Sequence, residues 1–552
     1  MKPILRFVFV LVLCLALIIG SYSLAMQLLT NMYDYRSPLL ASPPIPGQSL
    51  GSPIARQVVF VIVDGLRYDT FIKSDVMPNL SQLRSIGAYA KMRSRIPTYS
   101  SPGYGVLLTG AWPEISDAPP FNPAYEDIHT ISQDNLFSSA HRLGLKTGIS
   151  AFYWFEKLIP QDSIDGSFYT SEEDQKADRE VVDAALPWLS SGQYQFVLIH
   201  LDQVDYAGHH EGGPKSKNWD AAAKRADDLI GEILKKMDLT QDIILVVSDH
   251  GHIDSGGHGG QEDILRLEPF LLAGKGIQQG EIDDVQMADV APTLAAILGL
   301  NIPASSQGQA RFEWIKGLSS DTVSNLAYET SKQQSQLLQK YAVAIGAKLN
   351  MNDTIVDAQK TVSDYQSTFE QIRQTKINRQ RTLRIGIGIL CLVIIGFVLI
   401  RWKFFNTGWL FFGAIIYTVL FHAYYWLLGA RQYSYSIANT ELSLILPNGL
   451  AALIILLMIW IFFTWRNKSA TSGIEMATFS GLLVLVIAFV TFLPVAAHWV
   501  WDGMFATWTL PNFGLHFLAM ISLIQILFLG IGGLLLIGLS FWLRSRNKLE
   551  KV

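Results

Sequence analysis

Four short motifs carry oxygen and nitrogen donors at spacings that suit metal chemistry: Asp64 in DGLRYD, Asp205 and His209 four apart in DQVDYAGHH, Asp249 beside His250 in SDHGH, and His258 in GGHGG. Taken singly, an aspartate is usually a turn cap and a histidine a satisfied core residue. Taken together, three carboxylates and three imidazoles can make two sites for divalent ions, with zinc the first choice and manganese the second. The glycines flanking His258 allow close backbone approach and unusual dihedrals around a ligand. His210 and His252 are expected to support the site from behind or to lie at the surface, not to ligate.

A hydroxyl lies upstream of these motifs in IPTYSSPGYGVLLTG. Pro102 suits the first position of a helix with Ser101 as its cap, so Ser100 is expected at the positive end of the helix dipole. Next to a dication, such a hydroxyl can ionise and attack phosphorus; ordinary N-terminal capping explains a serine before proline equally well.

Strands must position these groups. QVVFVIV runs up to Asp64, QFVLIHL up to Asp202, and DIILVV up to Ser248 and Asp249. Continuous apolar runs without alternation suit strands buried on both faces of a parallel sheet, and EPFLLAG from Glu268 reads as a weaker fourth. Helical patterns such as AAAKRADDLIGEILKKM from Ala221 lie between them, giving an α/β class with helices on both faces. Each of the three runs delivers acidic residues at its C-terminal end, the edge where open α/β sheets bind ligands.

With these motifs in order, residues 58–308 resemble the alkaline phosphatase superfamily, in particular the nucleotide pyrophosphatase/phosphodiesterase branch and the glycosylphosphatidylinositol ethanolamine phosphate transferases; ADVAPTLAAILGLNIP resembles the family's closing helix. The resemblance implies an alkaline-phosphatase-like mixed or parallel sheet flanked by helices. By position it implies one metal held by Asp64, Ser100, Asp249 and His250, and another by Asp205, His209 and His258. Counting back from Thr109-Gly110 puts the nucleophile on Ser100, not Thr98 or Ser101, and Asn122, offset by about one position, is the candidate for the asparagine that stabilises phosphoryl oxygens in the phosphodiesterases. SSPGY is closer to the ethanolamine phosphate transferases, since the phosphodiesterases more often carry threonine as nucleophile. Sulfatases share the fold but have arginine where this chain has Tyr104, which makes sulfate hydrolysis a minor reading. The implied activity is metal-dependent phosphodiester cleavage or phosphoethanolamine-type transfer through a phosphoryl-serine; an inactive membrane scaffold of the same fold is the alternative from another class.

The chain has 552 residues, 50% of them hydrophobic, and a mean hydropathy of +0.26, values between those of soluble and membrane proteins. A formal net charge of -4 without a basic stretch gives no footprint for a nucleic-acid polymer. Cys14 and Cys391 lie in apolar runs, so neither a disulfide framework nor a thiolate site is expected. The first apolar run, from Ile4 to about Leu29, reads as a retained anchor; cleavage near Ser23 and Ala25 is the rival, but the run exceeds the usual signal core of roughly 7–15 residues. Five further spans are expected at Ile385–Ile400, Gly408–Leu428, Leu442–Trp465, Phe479–Val500 and Phe513–Leu543. Lys2, Arg6, Arg401, Lys403, Arg466, Lys468, Arg544, Arg546 and Lys548 then fall on one side, which the positive-inside rule makes cytoplasmic together with both termini, leaving the catalytic region outside. The expected order is an anchor over 1–30, a Pro/Ser/Gly-rich linker over 31–56, the catalytic domain over 57–317, a Gln-rich helical stalk or cap over 318–384, a five-span bundle over 385–545 and a tail over 546–552. The expected partners are a phosphate-ester substrate, lipid- or glycan-linked, and membrane lipids.

Overall fold

The computed structural model describes residues 3–316, 318, 320–349, 356, 361–401, 408–429, 431–438, 440–466 and 472–549. The chain divides into two compact units. One comprises Met1–Asn31, Ile377–Ala506 and Pro511–Val552; the other comprises Met32–Lys376 with Thr507–Leu510. The edge expected at 317 and the charges expected on Lys2, Lys403 and Lys468 lie outside the described residues.

Among the described residues, the second unit is built on nine strands: β1 Val58–Val63, β2 Ala88–Arg93, β3 Thr147–Phe152, β4 Gly166–Thr170, β5 Phe196–Leu201, β6 Ile243–Val247, β7 Leu267–Gly274, β8 Gly280–Glu281 and β9 Val285–Gln286. They lie in the order β4-β3-β5-β1-β6-β7-β2-β8, with β9 also on β2. The first five in that order run parallel, whereas β7 is antiparallel to both β6 and β2. The sheet is therefore mixed, and the run EPFLLAG supplies its reversed strand. All residues of β1, β5 and β6 are buried. Val58, Phe60 and Ile62 join the core on one face and Val59, Val61 and Val63 the core on the other, which is why no polar alternation marks this strand. Register pairs Val58 with both Phe196 and Ile243, so the C-terminal ends of β5, β1 and β6 lie side by side.

The Pro/Ser-rich stretch expected as a linker is tied to this unit. The Ser37 amide donates to Asp117 at 2.8 Å, the Arg36 guanidinium grips the same carboxylate at 2.7 and 3.0 Å, and the Ile54 amide donates to the Ile297 carbonyl at 2.8 Å. The helix Ser320–Ile345 explains its glutamines similarly. Gln333 donates to the carbonyls of Ala304 and Ser306, and Gln334 to Ser306, all at 2.9 Å, so amides supplement its thin apolar face of Leu326, Leu337 and Leu338.

Among the described residues, five helices are long and apolar enough to cross a membrane: Ile4–Tyr33, Gly408–Leu428, Leu442–Trp465, Gly473–Trp501 and Phe513–Arg544, which apart from Met32 and Tyr33 belong to the other unit. On these helices the chain is a membrane protein. The expected span Ile385–Ile400 is not among the five; it forms the far end of one continuous helix, Val362–Arg401, whose first half is polar.

Candidate metal and phosphoryl-transfer site

The sheet's central edge assembles the candidate site. Asp64 follows β1, Asp202 and Asp205 follow β5, and Asp249 and His250 follow β6. The loop between β6 and β7 returns His252 and His258 to the same place. His250 Nε2 lies 3.3 Å from Asp64 Oδ1 and 3.4 Å from Asp249 Oδ2; Asp205 Oδ1 lies 3.6 Å from His258 Nε2 and 3.9 Å from His250 Nε2. His209 stands at the rim, a quarter exposed, with Nε2 3.5 Å from Asp205 Oδ2. Among the described residues, three groups of side chains bring donor atoms close enough for one ion: Asp205, His250, His252 and His258; Asp64, Asp249 and His250; and Asp64, Asp202 and Asp205.

Ser100 opens the helix Ser100–Thr109 behind an extended Tyr99, so Pro102 is its third residue and not its first. Ser101 does not cap this helix with its hydroxyl, which is buried without a partner. Its amide instead donates to Asn122 Oδ1 at 3.1 Å, so a side chain from a separate loop satisfies one of the open N–H groups. Asn122 Nδ2 donates to Ser100 Oγ at 3.3 Å, and His250 Nε2 lies 3.2 Å from the same oxygen. Ser100 thus keeps the helix-dipole position expected of it, 6% exposed.

The electrostatics are those of an acid cluster that needs cations. Burial pushes the Asp249 carboxyl well above the usual range, and the Asp64 charge adds to it. Asp202 is raised in the same way, by burial and then by Asp64 and Asp205. Burial also opposes ionisation of Asp64, but the neighbouring His200 and His250 imidazoles outweigh it and hold the group below the carboxylate range. At Asp205 the charges of His209 and His252 outweigh burial and hold it well below that range. Burial lowers His250, yet Asp249 and Asp64 push it up to about 10. Asp64 Oδ1 and Asp249 Oδ2 are buried without hydrogen-bond partners. Two such carboxylate oxygens facing imidazoles fit divalent ions, since unpaired buried charge is costly and N/O donors suit these metals. The Nδ1–H of His258 donates to the Thr98 carbonyl at 3.0 Å and that of His250 to the Gly251 carbonyl at 3.2 Å, so in each ring it is Nε2 that faces the carboxylates and would serve an ion.

Comparisons with known proteins agree with this geometry. Residues 146–302 match the model of the metalloenzyme superfamily, and residues 58–116 that of type I phosphodiesterase / nucleotide pyrophosphatase. The resemblance to the alkaline phosphatase superfamily stands. The human GPI ethanolamine phosphate transferase 2, catalytic subunit, is 26% identical over 331 residues, covering 54% of this chain and 33% of that protein. GPI ethanolamine phosphate transferase 2 of Schizosaccharomyces pombe is 28% identical over 289 residues, covering 46% of this chain and 38% of the other. This chain therefore spans about a third of the length of these relatives. Among solved structures, human ectonucleotide pyrophosphatase / phosphodiesterase 5 aligns with a TM-score of 0.38 at 13% identity, over 44% of this chain and 95% of that one.

Within the alkaline-phosphatase-like unit, several site residues escaped sequence reasoning. Tyr104, noted only as a departure from sulfatases, is buried and donates its hydroxyl to Asp64. His200 Nε2 lies 2.9 Å from the Tyr104 hydroxyl and 3.0 Å from Asp64 Oδ2. One signal was available for His200: it is the sole polar residue of an otherwise apolar strand. His252, expected to support the site from behind or to lie at the surface, is fully buried against Asp205, whereas His210 packs beside Tyr206.

Proposed function

We propose that this chain is a membrane-bound, metal-dependent phosphoryl-transfer enzyme. Ser100 takes a phospho-alcohol group of the phosphoethanolamine type from a lipid-linked phosphate ester and passes it to an alcohol on a membrane-associated glycan or lipid. The observation that carries this reading is the Ser100 hydroxyl: it opens a helix and sits 3.2 Å from His250 and 3.3 Å from Asn122, beside the unpartnered oxygens of Asp64 and Asp249. Asp64, Ser100, Asp249 and His250 would hold one ion, and Asp205, His209 and His258 a second. When bound, two divalent ions, zinc before manganese, supply positive charge to the entering and leaving oxygens and ease ionisation of a hydroxyl.

The chain's own residues do the rest. Ser100 Oγ gives up its proton and forms a bond to phosphorus while the donor's P–O bond breaks and the departing alkoxide takes up a proton. The acceptor's oxygen, losing its proton, then displaces Ser100 Oγ, which is reprotonated. Asn122 Nδ2 and the helix N-terminus face the charge that develops on the phosphoryl oxygens. With water as acceptor the same steps give a phosphodiesterase, a second reading favoured by the phosphodiesterase match over residues 58–116.

The orientation belongs to the same reading, with the catalytic unit outside the cytoplasm and both termini within. A cysteine introduced at Thr170 is expected to react with an impermeant reagent in intact, outward-facing membranes, and protection there would reverse the orientation. The test of function supplies full-length protein with labelled phosphatidylethanolamine and a membrane extract, with Ser100→Ala as control. Label is expected on a membrane-associated acceptor. Water-soluble hydrolysis products alone would favour the phosphodiesterase, and equal labelling by Ser100→Ala would overturn both readings.

A further inference from the structure

His252 is completely buried and lies within ligating distance of the same carboxylate as His258, so on proximity alone it qualifies as a metal ligand. Its hydrogen bonds argue otherwise. The Gly257 amide donates to His252 Nδ1 at 3.0 Å, which makes Nδ1 the ring's acceptor. In a neutral imidazole the proton then resides on Nε2, and Nε2 lies 2.7 Å from Asp205 Oδ1. Ligation through Nε2 would move that proton to Nδ1 and set it against the Gly257 N–H, donor against donor. His250 and His258 have the opposite arrangement, with Nδ1 on a carbonyl oxygen and no backbone amide fixing the proton on Nε2, the nitrogen that faces the carboxylates.

The backbone is shaped to keep this ring in place. A side chain on Gly208, in the helix that carries Asp205 and His209, would put its Cβ 2.3 Å from His252 Cε1. One on Gly65, directly after Asp64, would put its Cβ 2.8 Å from Nε2, at a φ of +69° that already disfavours L side chains. Trp219 closes the far side with its ring centroid 5.3 Å away. The ring cannot easily turn to offer its other nitrogen.

We propose that His252 is a positioning residue of the metal centre: its Nε2–H holds the Asp205 carboxylate in the orientation in which Asp205 ligates, without ligating itself. This rests on the metal-centre reading above. Fixing the rotamer of a ligating carboxylate is the task that hydrogen-bonded groups behind metal ligands commonly perform, and their loss typically weakens metal binding by about 10–100-fold.

The experiment compares zinc affinity, by competition with a chromophoric chelator, in the full-length chain and in His252→Gln, His252→Met and His252→Ala. X-ray absorption is used to count the imidazole ligands. Gln can both donate to Asp205 and accept from Gly257, but its amide is a poor zinc ligand; Met fills the space without a donor. Zinc affinity is expected to fall about 10–100-fold in His252→Met and His252→Ala, and to stay within about threefold of wild type in His252→Gln with the imidazole count unchanged. If His252→Ala does not fold, the comparison of Gln with Met decides alone. Equal weakening in Gln and Met, loss of an imidazole in Gln, or wild-type affinity in Met would each overturn the role. A wild-type chain that binds no zinc would overturn the metal-centre reading and this role together.

Discussion

In the proposed transfer Asn122 links the helix that carries Ser100 to the chemistry, and its two ends can be separated by mutation. Its Oδ1 accepts from the Ser101 amide at 3.1 Å and its Nδ2 donates to Ser100 Oγ at 3.3 Å. If these bonds only held the helix start, Asn122→Ala would lose two neutral hydrogen bonds, each with a net value of about 1 kcal/mol, and kcat would fall by no more than about fivefold through a loosened Ser100. If Nδ2 also faces the phosphoryl oxygens during transfer, removing it is expected to lower kcat by about 10²–10³, or roughly 3–4 kcal/mol, with KM little changed. Asn122→Asp distinguishes the two contributions. It keeps the acceptor for Ser101, so thermal stability should stay near wild type, but it removes the donor and places a negative charge against an anion, so kcat should fall at least as far as in the alanine variant. Steady-state kinetics on an artificial phosphodiester, with thermal melting alongside, supply both readouts. A kcat within about fivefold of wild type in both variants would reduce Asn122 to a helix cap.

Chelation is expected to abolish turnover and added zinc or manganese to restore it, because Asp64, Asp205 and Asp249 meet the site histidines, and Asp202 meets Asp64 and Asp205, with donor atoms close enough to share an ion; full activity in a verified metal-free sample would refute this. Asp289 offers a stability test remote from the centre. It is buried, accepts from the amides of Gln309 at 2.8 Å and Gln286 at 3.1 Å, and burial raises its pKa from an ordinary 3.8 to about 6. Because the folded value is the higher one, its stabilising contribution is complete below about pH 4 and is lost as pH rises through 6, a change of roughly 3 kcal/mol. Asp289→Asn should flatten that part of the melting-temperature profile, and an unchanged slope would show that Asp289 does not cause it.

The central sheet was legible where burial on both faces left a plain signature, as in VVFVIV, FVLIHL and IILVV. It was not legible in β2, whose AYAKMR alternates between buried and exposed residues, or in β3, whose TGISAF is buried but built largely of small residues with weak strand preference. The reversal of β7 has no local signal, because strand direction is set by where the chain returns to the sheet. The grouping of Asp64, Asp205, Asp249 and His250 followed from strand ends, since a parallel sheet brings those ends together. The contacts of Tyr104 and His200 did not follow, because each depends on which atom of the distant Asp64 its side chain meets; for His252 the sequence left support of the site and a surface position both open, and only its contacts with Asp205 and the Gly257 amide choose between them. The helix start at Ser100 was displaced from its expected place for the same reason, since the capping oxygen comes from Asn122, 21 residues away from Ser101.

Trapping the phosphorylated enzyme tests the central claim most directly. Full-length protein is mixed with a phosphodiester donor, quenched in acid within one turnover, digested and examined by mass spectrometry. The expected result is a phospho-alcohol adduct on the peptide containing Ser100, localised to that side chain, absent from Ser100→Ala and accompanied there by a loss of turnover of several orders of magnitude. Undiminished turnover in Ser100→Ala, or an adduct on Thr98 or Ser101 in its place, would contradict it.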